Sequence, residues 1–174
     1  MTRILGISGS LRAASLNSLL LRAAARVAPA GVSIEIYAGI GALPLFNADL
    51  DPTVLPSVAA LRAALNAADA VLIASPEYAH GVSGVIKNAL DWMVANETFV
   101  GKPVALLNAS PRATLAQAAL HETLATMSAL IVEPGCLAVP LLGGGFDFET
   151  LVAHPAIARS LNRAIAALAA AAIR

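Results

Sequence analysis

The segment GSLRAASLN (9–17) concentrates small polar side chains and one cation at a point where the chain has to turn. Gly9 permits a tight turn, Asn17 and the serines supply hydrogen-bonding groups, and Arg12 supplies a fixed positive charge. A leucine- and alanine-rich run follows, so free backbone N–H groups are expected at the start of a helix here. These features favour binding of a phosphate monoester. The alternative is that Ser15 only caps the helix.

This loop does not match the known nucleotide-binding loops. A Walker loop requires Gly-Lys-Ser/Thr, and residues 9–17 contain no lysine. Gly6 and Gly9 do not form the G-x-G-x-x-G pattern of dinucleotide-binding proteins either.

Apolar runs and helical periodicity alternate along the whole chain and predict an α/β protein. The predicted strands are 3–8, 32–39, 69–75, 102–110 and 131–140, and the predicted helices are 16–29, 57–68, 83–96, 114–130 and 151–173. A Pro-Gly pair interrupts the last strand. Such alternation with continuous apolar strands is typical of a parallel sheet covered by helices on both faces.

Three polar loops follow the first, third and fourth predicted strands: GSLRAASLN, SPEYAHGVSG (75–84) and NASPRAT (108–114). Ligands of parallel sheets bind beyond the carboxyl ends of the strands, near the point where the strand order reverses. We therefore expect these three loops to form one site.

Size and composition limit the remaining possibilities. The 174 residues suit a single domain spanning 1–174, and the net charge of zero argues against nucleic acid as a partner. The longest uncharged apolar run near the end, 164–173, is too short to cross a membrane, which needs about 18 to 20 residues. No signal-peptide pattern precedes the first strand, so a cytoplasmic location is expected.

Cysteine and histidine usage does not indicate a metal site. Cys136 is the only cysteine and lies in an apolar strand, which favours a structural role in the core. His80, His121 and His154 are scattered without metal-ligand spacing.

The segment SPEYAHGVSGVIKNALDW (75–92) resembles the signature P-E-Y-N-x-(x)-x-P-G-x-L-K-N-A-L-D-W of the NADPH-dependent FMN reductase family. GSLRAASLN likewise resembles the family's flavin-phosphate loop, G-S-x-R-x-x-S-x-N. The resemblance implies a flavodoxin-like three-layer sandwich, with a five-stranded parallel sheet in the order 2-1-3-4-5. It also implies FMN as the cofactor and NADPH or NADH as the hydride donor.

Carried over residue by residue, the resemblance implies two groups of cofactor-binding residues. The group that would hold the FMN phosphate is Ser10, Arg12, Ser15, Leu16 and Asn17. The group that would border the isoalloxazine ring is Pro76, Glu77, Tyr78 and Ala79, with His80, Gly81 and Ser110 close by.

Several of these roles have alternatives. Tyr78 either packs on the ring or only supports the loop, and His80 either lines the nicotinamide side or is a solvated loop histidine. Arg112 is added on its charge: a cation there would stabilise a reduced, anionic flavin or receive an NADPH phosphate, unless it is a surface arginine without a role.

Two positions depart from the family signature. Ala79 stands where the family usually has asparagine, so a side-chain hydrogen bond is lost while the backbone N–H remains. Ser83 replaces a proline and is expected to cap the following helix.

The helices predicted at 83–96 and 114–130 have two interpretations. Their large apolar side chains belong either to the core of this chain or to a surface shared between subunits, because family members generally dimerise through the corresponding helices. The residues concerned are Trp92, Met93, Leu120, Leu124 and Met127.

No set of nucleophile, base and orienting residue is present, so no catalytic side chain is predicted. This fits a flavoenzyme, in which the cofactor carries the chemistry. We expect an FMN-dependent NAD(P)H oxidoreductase that reduces a small acceptor such as a quinone, azo compound, metal oxyanion or free flavin, as a homodimer or homotetramer. The alternatives are a flavodoxin-type electron carrier without NAD(P)H turnover and a phosphate-binding hydrolase or transferase.

Overall fold

The structure is a computed structural model that describes residues 1–173, so the last position of the predicted 1–174 domain lies outside it. Its elements in chain order are β1 (Thr2–Ser8), α1 (Leu16–Arg26), β2 (Val32–Ile36), α2 (Pro56–Ala67), β3 (Ala70–Ala74), β4 (Glu77–Tyr78), β5 (Gly81–Val82), α3 (Gly84–Met93), β6 (Pro103–Asn108), α4 (Thr114–Thr126), β7 (Leu130–Ile131), β8 (Leu137–Ala138), α5 (Phe148–Ala153) and α6 (Pro155–Ala171).

The main sheet is parallel and has the order β2-β1-β3-β6, with β7 and β8 both paired to β6. These two short strands share the fifth position and are separated by a 3₁₀ turn at Glu133–Gly135. The predicted order 2-1-3-4-5 therefore holds by position, and the predicted break at Pro134-Gly135 divides the fifth strand into two. An added Cβ at Gly135 would lie 2.9 Å from Ala105 Cβ, so the turn packs closely against β6.

Alternate side chains of the central strands enter two separate apolar cores, one on each face of the sheet. Leu5 and Ile7 of β1 pack with α2, α3 and α4, whereas Ile4 packs with α1, α5 and α6. β3 and β6 alternate in the same way. This confirms the predicted flavodoxin-like three-layer sandwich.

The helix predicted at 151–173 is wrong as a single element, because α5 and α6 are separate helices that meet at His154. Pro155 has no N–H to donate, and a residue before proline avoids helical geometry. His154 accordingly has φ −73° and ψ 110°, and its ring accepts a hydrogen bond from the N–H of Ile157 at 3.4 Å.

A two-stranded antiparallel hairpin, β4–β5, occupies the second polar loop, where the sequence predicted only a loop. Ser83 follows it and caps α3 as predicted, with its hydroxyl accepting from the N–H of Ile86 at 3.4 Å. Within residues 1–173, no helix combines the length and the apolar character needed to cross a bilayer.

Candidate functional site

An open cleft of about 260 Å³ lies at the carboxyl edge of the sheet, where the loops after β1, β3 and β6 meet. Its lining residues are Leu16, Asn17, Pro76, Glu77, Asn108, Ala109, Ser110, Arg112, Ala113 and Leu142. The convergence of the three polar loops predicted from the sequence is therefore present in the structure.

The first loop presents the amino end of α1 to this cleft. Ser15 caps the helix, since its hydroxyl accepts from the N–H of Ser18 at 3.2 Å. The N–H groups of Leu16 and Asn17 have no acceptor within residues 1–173. The hydroxyl hydrogen of a capping serine also stays free to donate, so the capping role of Ser15 is compatible with an anion at the same helix end.

Ser10 and Arg12 belong to the same loop but differ in exposure. Ser10 is buried, and its hydroxyl accepts from the N–H of Arg12 at 3.4 Å. The side chain of Arg12 is exposed, and no carboxylate in the described chain forms an ion pair with it. Arg12 therefore supplies an uncompensated positive charge beside the helix end.

Gly9 is required by a close approach between the first and second loops. A Cβ at this position would lie 2.6 Å from Ser75 Oγ and 2.8 Å from Ile86 Cγ1. The N–H of Gly9 also donates to the carbonyl of Ala74 at 2.8 Å. The first loop is thus seated directly on the end of β3 and the start of α3.

Asn17 joins the first loop to the third. Its Oδ1 accepts from the N–H of Ala109 at 3.2 Å, and the residue is buried. Asn17 therefore has a structural role as well as a place in the cleft wall.

The third loop is shaped by Asn108, the last residue of β6. Its Oδ1 accepts from the N–H of Ser110 at 2.8 Å, and its Nδ2 donates to the carbonyl of Ala113 at 3.3 Å. These bonds hold Ser110 and Arg112 in the cleft wall. Arg112 forms no ion pair with any described carboxylate.

The second loop projects from the cleft as the β4–β5 hairpin. Its two-residue turn consists of Ala79 (φ 49°) and His80 (φ 60°), and positive φ at both positions is the geometry of a type I′ turn. The nearby glycines Gly81 and Gly84 do not have positive φ. The N–H groups of Ala79 and His80 have no acceptor in the described part of the chain.

Glu77 connects this hairpin to the start of α4. Its Oε2 accepts from the N–H of Ala116 at 2.8 Å, and its Oε1 lies 3.2 Å from Nδ1 of His80. The hydrogen bond from Ala116 is the main cause that holds the pKa of Glu77 below its ordinary value, and the contact with His80 adds to it. Glu77 therefore stays ionised at neutral pH.

The structure brings only part of the predicted cofactor set into the cleft wall. Leu16, Asn17, Pro76, Glu77, Ser110 and Arg112 line it, and Ser10, Arg12 and Ser15 lie in the adjoining loop. Tyr78, Ala79, His80 and Gly81 form the hairpin beside the cleft and do not line it.

Four lining residues were missed by the sequence interpretation: Asn108, Ala109, Ala113 and Leu142. An asparagine that ends a buried apolar strand was a usable signal for the first of them. Leu142 offered none, because its place in the cleft depends on the path of the chain after β8.

Asn88 and Trp92, which belong to the 75–92 signature, hold the segment 44–46 in place. Pro44 O accepts from Trp92 Nε1 at 2.8 Å and from Asn88 Nδ2 at 3.0 Å, and the ring of Phe46 packs edge-on against Trp92 at 5.1 Å. The side chains of Trp92 and Met93 are buried, as are Leu120 and Leu124, and all four lie in the core of this chain.

Two further side chains that could bind a metal, those of His121 and Cys136, contact different parts of the chain. His121 Nε2 lies 2.8 Å from Glu133 Oε1, and Cys136 Sγ accepts from the N–H of Leu106 at 3.3 Å. Burial raises the pKa of the Cys136 thiol, which agrees with the predicted structural role. In residues 1–173 no three His, Cys, Asp or Glu side chains are grouped as metal ligands would be.

Comparison with known sequences identifies relatives of the chain. A 111-residue segment is 46% identical to an NAD(P)H-dependent FMN reductase of Pseudomonas aeruginosa, covering 62% of this chain and 60% of that protein. A 112-residue segment is 33% identical to a quinone reductase of Escherichia coli K12, with the same coverage. The matched segment thus spans about 60% of the length of these curated relatives.

Comparison with solved structures and family profiles extends this result. The flavoenzyme NAD(P)H:(acceptor) oxidoreductase FerB of Paracoccus denitrificans superposes with a TM-score of 0.87 at 28% identity, over 99% of this chain and 98% of that one. The apo form of an NADH:FMN oxidoreductase (EMOB) superposes with a TM-score of 0.67 at 25% identity, over 98% and 89%. The profile described as NADPH-dependent FMN reductase matches residues 2–142. The chain belongs to the NADPH-dependent FMN reductase family.

Proposed function

We propose that this protein is an FMN-dependent NAD(P)H oxidoreductase that reduces a small acceptor such as a quinone, azo compound, metal oxyanion or free flavin. The observation that carries the proposal is the set of backbone N–H groups without acceptors, within residues 1–173, in and beside the cleft. They form two groups that suit the two ends of FMN.

The first group suits the phosphate of FMN. The N–H groups of Leu16 and Asn17 lie at the positive end of the α1 dipole, and Arg12 adds a full positive charge nearby. Ser10 and Ser15 contribute hydroxyls. We assign these five residues to the phosphate.

The second group suits the polar edge of the isoalloxazine ring, which needs hydrogen-bond donors beside a flat apolar contact. The backbone N–H groups of Ala79, His80 and Arg112 have no acceptor within residues 1–173, and Pro76 supplies apolar surface in the cleft wall. We assign the hairpin, including Tyr78 and Gly81, and Ser110 to the ring. Because the contact at residue 79 is made by the backbone, alanine in place of the usual asparagine is compatible with it.

FMN bound in this way would accept a hydride from NADPH or NADH and pass the electrons to the acceptor. The protein's own task is to bind and orient the reactants and to supply positive charge. Arg112 is suited to this, because it lies in the cleft wall without an acidic partner among the described side chains. If Arg112→Gln raises the KM for NADPH but not for NADH, Arg112 contacts the phosphate of NADPH. If it lowers the reduction potential of the bound flavin, Arg112 contacts the reduced ring.

We also propose that the chain forms a homodimer or homotetramer in the cytoplasm, where NAD(P)H is available. Large apolar side chains that are at least half exposed lie on or close after α3 and α4, namely Val94, Val100, Leu115 and Leu130. Association of subunits through these parts of the chain would remove the four side chains from water. Light scattering of the purified protein measures the assembly directly.

The test of the function is the absorption spectrum of the purified protein with added FMN, followed by NADPH without oxygen and then a quinone. We expect flavin bands that bleach with NADPH and return with the quinone. Bands that do not bleach would indicate a flavodoxin-type carrier instead. Failure to bind FMN would overturn the proposal and leave the phosphate-binding hydrolase or transferase as the better interpretation.

A further inference from the structure

The tip of the β4–β5 hairpin has a backbone conformation that its residues do not favour. Ala79 and His80 both have positive φ, although neither is glycine or asparagine. The left-handed conformation is unfavourable for such a residue, because it brings Cβ close to the following carbonyl oxygen. Contacts elsewhere must hold a turn of this kind in place.

The contacts of Glu77 provide this restraint. Its side chain is only 14% exposed, and one carboxylate oxygen reaches His80 at the tip of the turn. The other oxygen accepts the N–H of Ala116, the third residue of α4. A single carboxylate therefore ties the strained tip to a helix that is distant in sequence.

The helix end that Glu77 contacts has no cap of its own. Ala113 occupies the N-cap position of α4 and makes no side-chain hydrogen bond there. A carboxylate suits the N–H groups and the positive dipole of a helix start. Glu77 thus acts as the missing cap, supplied from the second loop.

The bond between Glu77 and α4 also joins two segments of the chain that line the cleft. Ser110, Arg112 and Ala113 immediately precede α4 and line the cleft, as do Pro76 and Glu77 of the second loop. We propose that Glu77 is a positioning residue: from its anchor on α4 it holds the strained Ala79-His80 turn in place, so that the N–H groups of Ala79 and His80 are presented to the flavin ring. The inference rests on the proposed FMN function and assigns Glu77 no part in the chemistry itself.

The experiment compares FMN dissociation constants by flavin fluorescence, together with hydrogen exchange of the 77–82 amides in the apoprotein. We expect Glu77→Ala to weaken FMN binding by about tenfold, the size of a lost charged hydrogen bond, and to speed exchange in the hairpin. Glu77→Gln keeps an oxygen that can accept from Ala116 but has no charge, so its FMN dissociation constant should lie between those of the wild type and Glu77→Ala. It also serves as the test variant if Glu77→Ala does not fold.

Two further variants separate positioning from general stability. Asp147 caps α5 through the N–H of Thr150 and is not among the residues that line the cleft, so Asp147→Ala should lower stability without changing FMN affinity. The double change Ala79→Asn with His80→Gly creates the pair that favours a type I′ turn. In that background the additional effect of Glu77→Ala on FMN affinity should fall below about threefold, because the turn no longer needs an external restraint.

The possible results are distinct. If the wild-type protein does not bind FMN, the proposed function fails. If the wild-type protein binds FMN and Glu77→Ala binds it equally well, the positioning role is wrong while the function stands. If the Asn-Gly turn leaves the tenfold effect of Glu77→Ala unchanged, Glu77 does not act through the turn and the inference is also overturned.

Discussion

Replacing Gly9 by alanine tests the close approach on which the first loop depends. The new Cβ would lie 2.6 Å from Ser75 Oγ, 2.9 Å from Ser75 Cβ and 2.8 Å from Ile86 Cγ1, all closer than such atoms can remain. Ser75 and Ile86 are themselves buried, so neither can move away freely. Overpacking at a buried position costs about 1–3 kcal/mol.

For a chain of this length we therefore expect the midpoint of thermal unfolding of Gly9→Ala to fall by roughly 2–12 °C, at about 2–4 °C for each kcal/mol. Circular dichroism of the apoprotein measures it, and chemical denaturation gives the free energy. FMN affinity should fall as well, because Gly9 begins the loop assigned to the phosphate.

Gly84→Ala is the matched control for this prediction. Gly84 is the first residue of α3, its φ is not positive, and nothing lies within 4 Å of an added Cβ. Alanine there should leave stability unchanged or raise it by up to about 1 kcal/mol. An apoprotein of Gly9→Ala as stable as that of Gly84→Ala would refute the packing argument.

Three further changes test other contacts. Trp92→Phe should lower the unfolding free energy by about 0.5–1.5 kcal/mol, because the 2.8 Å hydrogen bond from Trp92 Nε1 to Pro44 O is lost while Asn88 Nδ2 still donates to the same oxygen. Protection of the Leu45 and Phe46 amides from hydrogen exchange should fall with it, and unchanged exchange there would contradict the assignment. Asn17→Ala should cost about 1–3 kcal/mol in denaturant unfolding, because the N–H of Ala109 loses its acceptor, whereas Asn162→Ala, which frees only a carbonyl, should cost less. Because the folded-state pKa of Glu77 is lowered, its stabilising contribution is complete at neutral pH and is lost as the pH falls below about 4.5. Glu77→Gln should therefore lose less stability than the wild type between about pH 5 and pH 3, and parallel losses over that range would rule this out.

The layered fold could be predicted from the sequence because short apolar runs alternate along the chain with segments of helical periodicity. The loops of the cleft could also be located, since each follows a buried strand. The sequence contained the signal for the break at His154-Pro155 as well, because proline inside a helical pattern marks a boundary.

Other features depend on contacts between distant residues and have no local signal. The hairpin at 77–82 was not predicted because Ala79-His80 lacks the glycine or asparagine that normally identifies such a turn. The bonds from Asn17 to Ala109 and from Glu77 to Ala116 join segments 92 and 39 residues apart. Only the folded chain shows that these side chains have structural partners.

The division of the fifth strand affects how copies of this apolar-rich chain can associate. The outer edge of the sheet consists of two strands of two residues each, and Pro134 between them has no N–H to offer to an incoming strand. Within the gap, Cys136 Sγ already accepts from the N–H of Leu106. The opposite edge strand, β2, carries the charged side chain of Glu35, which is exposed. Neither edge offers a long apolar template for intermolecular sheet extension, which disfavours fibrillar aggregation through the edges of the sheet.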